Sequence, residues 1–383
     1  MLKRFSGAAK AKKMLLDRCL PVKRTQLRAG PQAAGRVLCE DVFSPVNLPG
    51  FCRAAMDGFA VRSLDTKGAR PSAPVYLEKF ISLRTGMEVP EDFDAVTMLE
   101  DSVLRGDTLE ITTEAHPYKN VSQIGEDICR GDAVFREGRR LRPPDVALLA
   151  ALGICEVGIY VRPKVSIIPT GGEIVPIGAR PLQAGEAYEI NGLRAELYVE
   201  KWGGAPKKRE IVPDDPDRIR EAVRSSLDAD MIIIIGGTSV GERDYAPRML
   251  AEMGELFVHG VRLQPGKPTA FGIVDTKPVI CLPGYPVAAL SDLYLFVRPA
   301  IKKMAHLDDA MPRTCARLAR KIASKPGYLS IVRVALRGEE AEPIMVSGAG
   351  ILSSVARADG FVIVPEEREG IEAGEMVEVC LFE

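Results

Sequence analysis

Between residues 163 and 307, short apolar runs alternate with segments whose apolar positions recur every three or four residues. "KVSIIPTGGE" is an apolar run that ends in glycines. "NGLRAELYVEKWGG" then sets Leu193, Leu197 and Trp202 near helical spacing, with Gly203 and Gly204 as a stop. "REIVPDDP" reads as a second strand. In "DPDRIREAVRSSL", Asp215 stands at the N-cap position and Pro216 at the first helical position, with Ile219, Val223 and Leu227 as the buried stripe. "MIIIIGG" shows no alternation, as expected of a strand covered on both faces. "YAPRMLAEMG" predicts a helix closed by Gly254, "PVICLPG" a strand, and "YPVAALSDLYLFVRPAIKKM" a long helix with Pro286 near its start. This series predicts a doubly wound, mostly parallel sheet, in which ligands bind beyond the carboxyl ends of the strands.

The flanks follow other patterns. Residues 1–21 predict an amphipathic helix. "AVTMLED" and "LEITTEA" predict strands in a β-rich insertion from about Ser44 to Gly131. "RPPDVALLAALG" predicts a helix with Leu148, Leu149 and Leu152 inward and Gly153 as its cap. From Pro312 onward, "LSIVRVALR", "EPIMVSG", "DGFVIVPEE" and "EMVEVCLF" alternate between turns and predict a small β-barrel or sandwich. The expected fold class is therefore an α/β and β multidomain chain.

Composition narrows the function. The 383 residues suggest several domains, and 46% hydrophobic against 27% charged residues suits a globular protein. Lys+Arg 51 against Asp+Glu 52 supplies no general attraction to nucleic acid or to an anionic membrane. No apolar run reaches the length of a membrane span. Eight scattered cysteines without a C-x-x-C pair read as buried thiols of a reducing cytoplasm. Three histidines far apart in sequence disfavour a zinc site or a histidine triad.

Candidate chemistry gathers at the predicted strand exits: Thr170 to Glu173, Asp214 and Asp215, Gly236 to Asp244, and Leu282 to Pro286. Gly236 and Gly237 lack side chains, so a phosphate can approach their N–H groups, and Thr238 and Ser239 add hydroxyls. A plain strand-to-helix turn using glycine for its backbone freedom fits that stretch equally. Glu242 occupies the place of the Walker lysine, which excludes a P-loop. Asp214 and Asp215 could cap a helix and Asp244 could begin one. Glu173, Asp214 and Asp244 converging from three exits instead suit Mg2+, which bridges carboxylates to phosphates. Lys267 and Pro268 lie in a rigid "PGKP" turn, where a fixed cation suits an oxyanion. In "NLPGFCRAAMDGFAV", Asp57-Gly58 marks a turn, and Met56 and Phe59 are expected to be buried.

The stretches "AAMDGFAV", "GEDI", "TGGEIV", "GGTSVGERDY", "PGKP" and "LPGYPV", in this order, resemble the MoeA family of molybdopterin molybdenumtransferases, which includes the E domain of gephyrin. The resemblance implies four domains: residues 1–44 with 131–162 an elongated dimerisation domain, 45–130 an inserted lid, 163–307 the molybdopterin-binding α/β domain, and 308–383 a β-barrel. It implies Mg2+-assisted hydrolysis of adenylated molybdopterin and insertion of molybdate into the dithiolene. It implies a cytoplasmic homodimer supplied by a molybdopterin adenylyltransferase. Asp57 and Asp127 match lid acids offered by the partner subunit, and Glu173, Asp214 and Asp244 match the catalytic and metal-binding acids. Lys267, Pro268 and Arg333 match positions around the oxyanion, and Pro283 and Pro286 match the two prolines of the usual L-P-G-N-P; Thr170, Gly236, Gly237 and Ser239 are the candidate molybdopterin contacts read from the strand exits. The chain departs from the pattern at Gly172 (usually Asp), Gly260 and Gln264 (commonly Lys), Tyr285 (usually Asn) and Ala349 (usually Ser). A tungstate-inserting relative and a non-catalytic molybdopterin-binding scaffold are the alternatives.

Overall fold

The structure is a computed structural model that describes residues 5–237, 245–344 and 351–383. The chain divides into two compact units, Met1–Thr25 with Tyr160–Glu383, and Gln26–Ile159.

The larger unit is built on six strands: β1 (Lys164–Pro169), β2 (Ala205–Lys208), β3 (Met231–Ile235), β4 (Glu255–His259), β5 (Ala270–Val274) and β6 (Lys277–Leu282), in the order β2-β1-β3-β6-β5-β4. The first four in that order are parallel, and β5 runs antiparallel to both its neighbours, β6 and β4. The unbroken "MIIII" run is central: Met231, Ile233 and Ile235 enter one core, and Ile232 and Ile234 the other. Helix α1 (Asn191–Lys201) and the helix running from α4 (Pro286–Asp292) to α5 (Arg298–Met304) supply the first core; α2 (Pro216–Arg224) and α3 (Tyr245–Met253) supply the second. The N-terminal helix Ala8–Leu16 adds Ala8, Ala11 and Leu15 to the first core. Between α4 and α5 the helix widens into a π-helical stretch, Leu293–Val297. Pro299 cannot donate to the carbonyl of Leu295 and crowds it, which accounts for the local widening.

Three readings of the pattern change. The second strand is β2, not "REIVPDDP"; it is an edge strand, half-exposed, and therefore needs no apolar run. In α1 the buried residues are Gly192, Ala195 and Val199, followed by the fully buried Trp202, while Leu193 and Leu197 face outward. The β5–β6 hairpin was not legible because its turn is Asp275-Thr276, both at positive φ, without the Asn-Gly or Asp-Gly that marks such turns.

Five strands of the C-terminal region close a barrel: β7 (Arg313–Leu318), β8 (Leu329–Arg337), β9 (Glu340–Pro343), β10 (Gly360–Val364) and β11 (Met376–Leu381), in the cyclic order β8-β9-β7-β11-β10. Val332 and Val334 join the barrel's interior cluster, whereas Ile331 and Arg333 lie on the side that meets α4.

The smaller unit is strand-rich. Gly58–Val61 pairs with Ile81–Leu83 and Ala95–Met98, and Thr108–Ile111 pairs with Val75–Leu77 and Ser102–Arg105. A separate core joins residues from 33–42 to residues from 135–159, including Leu149 of the helix Pro143–Ala151. Gly58 is required by packing: a Cβ there would stand 1.9 Å from the Thr97 carbonyl oxygen. Phe59 is buried as expected, but Met56 is 43% exposed. Cys129, Cys155 and Cys315 are exposed rather than buried, and no disulfide forms among the described residues. No described helix is long and apolar enough to cross a membrane.

Candidate functional site

Hydrogen bonds lace the exits of β1, β2, β3 and β6 at one edge of the sheet. The Thr170 N–H donates to the Ile235 carbonyl (2.8 Å), the Gly171 N–H to Val212 (3.2 Å), and the Gly236 N–H to Leu282 (3.0 Å). Gly236 sits at φ +107°, and a Cβ there would lie 2.3 Å from the Thr170 carbonyl oxygen, so only glycine allows these exits to close up. This close approach commits groups that the sequence offers to a ligand. Thr170 is buried beneath Gly236, and the Gly236 N–H is spent on the sheet. Among the described residues Gly237, at φ +63°, keeps an N–H without a partner, while its carbonyl accepts from the Ala246 N–H of α3 (3.3 Å). Ser239 and Asp244 lie outside the described residues.

The acids of the exits separate into two kinds. Asp215 caps α2, accepting from the N–H groups of Asp217 (2.8 Å) and Arg218 (3.1 Å). Its neighbour Asp214 is exposed and makes no ion pair among the described residues. Glu173 is also exposed, and its carboxylate folds over Gly171, 3.0 Å from where a Cβ would stand. Gly172 borders open space. Among the described residues no three His, Cys, Asp or Glu side chains converge as a metal cage. Among the described residues Glu173 and Asp214 are oxygen donors without a cationic partner, the donor chemistry that suits a water-retaining Mg2+, and Asp244 would be the third.

Side chains not singled out in the sequence hold the fourth exit. The Asn191 side-chain amide donates to the Gly284 carbonyl (2.6 Å), and the Arg194 guanidinium donates to Pro286 O (2.5 Å) and Asn191 Oδ1 (2.9 Å). Burial lowers the Arg194 pKa to about 10. Buried Glu189 accepts from the Gly192 N–H (2.5 Å) and from Lys208 Nζ (3.3 Å). Together they fasten Pro283–Pro286 to α1 and leave Tyr285 67% exposed. The only sequence signal was the i,i+3 spacing of Asn191 and Arg194 on one helix face.

The "PGKP" turn lies on a strand pair that joins sheet to barrel, with Gln264 opposite Ser330 of β8. Lys267 is exposed, and its ammonium lies 4.7 Å from the centre of the Phe5 ring. Pro268 is half-buried beside it. Phe5 also explains Gly260: a Cβ at that residue would stand 2.1 Å from the ring, so Phe5 fills the space in which a side chain at 260 would begin. Arg333 is buried rather than open to a crevice. It lines a cavity of ≈ 10 Å³, at the threshold for one water molecule, with Ser291 and Tyr294, and burial lowers its pKa. Ala349 lies outside the described residues.

The two remaining acids belong to the smaller unit. Asp57 is exposed and accepts from the Thr85 N–H (2.6 Å) and hydroxyl (2.8 Å), donors that hold its pKa below the usual carboxylate value. Asp127 is exposed on a loop tied to residues 47–49, its N–H donating to the Leu48 carbonyl (3.1 Å).

Comparison with known proteins gives the family. Residues 7–153 match the MoeA N-terminal region (domain I and II), 166–303 a probable molybdopterin binding domain, and 315–382 the MoeA C-terminal region (domain IV). A putative molybdopterin biosynthesis protein of Methanocaldococcus jannaschii is 36% identical, covering 92% of this chain and 90% of its own length. A molybdopterin molybdenumtransferase of Haemophilus influenzae is 32% identical, with 92% of each chain covered. The crystal structure of a molybdopterin biosynthesis MoeA protein from Pyrococcus horikoshii superposes with a TM-score of 0.83 at 31% identity, over 99% of this chain and 100% of that one. With its doubly wound sheet, closed barrel and laced strand exits, the chain belongs to the MoeA family and is a transferase of molybdenum cofactor biosynthesis.

Proposed function

We propose that this chain hydrolyses adenylated molybdopterin in a Mg2+-dependent step and inserts molybdate into the dithiolene. The observation that carries the reading is the closed row of strand exits, in which glycine backbone forms the floor and two exposed carboxylates, Glu173 and Asp214, which have no cationic partner among the described residues, stand at its edge. In hydrolysis, water adds to one phosphorus of the diphosphate, the P–O–P bridge breaks with its electron pair on the bridging oxygen, and AMP leaves. A bare carboxylate pair beside a diphosphate repels it, so the step needs a cation. Mg2+, held by Glu173 and Asp214 with Asp244, would supply the neutralising charge. The chain's own part is to orient the diphosphate on Gly237 and to present the two acids at the strand exits. Lys267 holds the molybdate, with Pro268 stiffening its turn.

Asp57 and Asp127 complete this reading as acids supplied by the second subunit of a cytoplasmic homodimer. An adenylyltransferase must make the substrate, because the reaction consumes an adenylate. Incubation with adenylated molybdopterin, Mg2+ and molybdate should release AMP, and Glu173→Gln and Asp214→Asn should each slow release by a factor of roughly 100. Binding of molybdopterin without AMP release would make the chain a scaffold instead. Tungstate in place of molybdate, compared at equal concentration, assigns the oxyanion.

A further inference from the structure

Asp292, the last residue of α4, is fully buried, yet among the described residues no cation pairs with it. Its Oδ2 lies 2.5 Å from the Thr269 hydroxyl, and that same hydroxyl lies 2.7 Å from the Gly266 carbonyl oxygen. Among the described residues Oδ1 has no partner. Counting protons fixes the arrangement. Thr269 has one hydroxyl proton and two oxygen neighbours, and the Gly266 carbonyl only accepts. An ionised Asp292 would leave one of the two short contacts without a hydrogen and an unpaired charge in the core. With the proton on Oδ2, Asp292 donates to Thr269, Thr269 donates to Gly266, and both contacts become hydrogen bonds.

Gly266 and Thr269 bracket the "GKPT" turn that carries Lys267. The turn adapts to this grip: Gly266 sits at φ +133°, and a Cβ there would stand 2.7 Å from Asp292 Oδ1. We propose that Asp292, as a neutral carboxylic acid, is a positioning residue that fixes Lys267 through Thr269 and so ties the oxyanion turn to the helix that begins at the Pro283–Pro286 exit. The proposal rests on the reading of Lys267 as the oxyanion-holding cation. Burial, the largest influence on Asp292, pushes its pKa well above the usual carboxylate value.

Infrared difference spectra of wild type against Asp292→Asn at neutral pH should show a protonated-acid carbonyl band that the variant loses. A carboxylate band in its place overturns the proposal. In the AMP-release assay, Asp292→Ala and Thr269→Val should raise the molybdate KM about tenfold with kcat within about twofold. Asp292→Asn should keep both constants, because its amide N–H donates to Thr269 as the acid does. Should Asp292→Ala misfold, Thr269→Val still decides. If Lys267→Ala raises the molybdate KM while Thr269→Val and Asp292→Ala do not, the positioning role is wrong and the oxyanion reading stands. If Lys267→Ala leaves that KM unchanged, the oxyanion reading fails and the positioning role falls with it, whatever the infrared band shows.

Discussion

Two aspartates with opposite surroundings give the chain opposite responses to pH. Asp145, 3% exposed, is gripped by the guanidinium groups of Arg139 and Arg142 and accepts the Arg142 N–H, which holds its pKa far below the usual carboxylate value. A depressed folded pKa stabilises above the unfolded value and is lost as pH falls through the folded one. Wild type should therefore lose stability to acid below about pH 4, where the unfolded carboxyl protonates, and Asp145→Asn should lose less over that range. At neutral pH Asp145→Ala should cost about 2 kcal/mol in chemical denaturation, through the lost cap and the unpaired arginines. Asp292 behaves the other way. A carboxyl raised in the folded state contributes fully below the unfolded pKa and progressively less as pH rises toward the folded one. The unfolding free energy of Asp292→Asn, read by chemical denaturation, should thus gain on wild type between about pH 5 and pH 8, by up to about 1.4 kcal/mol per pH unit while the native acid stays protonated. Equal pH slopes for the two proteins would show that the native acid is ionised. At the exits, Gly172 borders open space, so Gly172→Asp should fold with a stability change of about 0.5 kcal/mol or less and leave Mg2+ affinity unchanged or tightened.

Among the elements, α1 shows how a helix can carry its leucines outside. Its buried face is small residues and Val199, because the helix lies close over β1 and β2 and the bulk is supplied by Trp202, stacked on Tyr198 and edge-on to Tyr294. Val199→Ala should cost about 2 kcal/mol, while Leu197→Ala should stay within about 0.5 kcal/mol, as denaturation midpoints would reveal. The reverse order would restore the leucine stripe read from spacing alone. The β3 exit is the second element-scale lesson. Gly236→Ala forces a Cβ against the Thr170 carbonyl at positive φ, and should cost about 3 kcal/mol.

At the scale of the whole molecule, the proposed function draws Asp57 and Asp127 from a second subunit, to act with Glu173 and Asp214. If the second subunit supplies the first pair, light scattering should give the mass of two chains at micromolar concentration. Mixed Asp57→Ala and Asp214→Ala chains should then recover part of the AMP release that each lacks. No recovery from a mixture shown to exchange subunits would mean that each site is built within one chain.

The chain's own pattern was enough for the parts of the fold that depend on local periodicity. The unbroken "MIIII" run pointed to a strand covered on both faces, Pro216 behind Asp215 to the start of a helix, and alternation after Pro312 to a barrel or sandwich. Motifs in order carried the family. The candidate site was legible as a set of strand exits, because glycines and acids cluster where apolar runs stop. Which atoms of those exits remain available was not legible. Asp214 and Asp215 are identical in sequence, yet one caps a helix and the other faces solvent, a difference set by where α2 begins. Thr170 and the Gly236 N–H are spent on neighbouring strands, Arg333 is buried against α4, and Asn191, Arg194 and Asp292 acquire their partners from segments 23 to 93 residues away. Periodicity records which face of an element is dry; hydrogen-bond partners and the proton on a buried acid depend on what packs against that face, and that is a property of the assembled core.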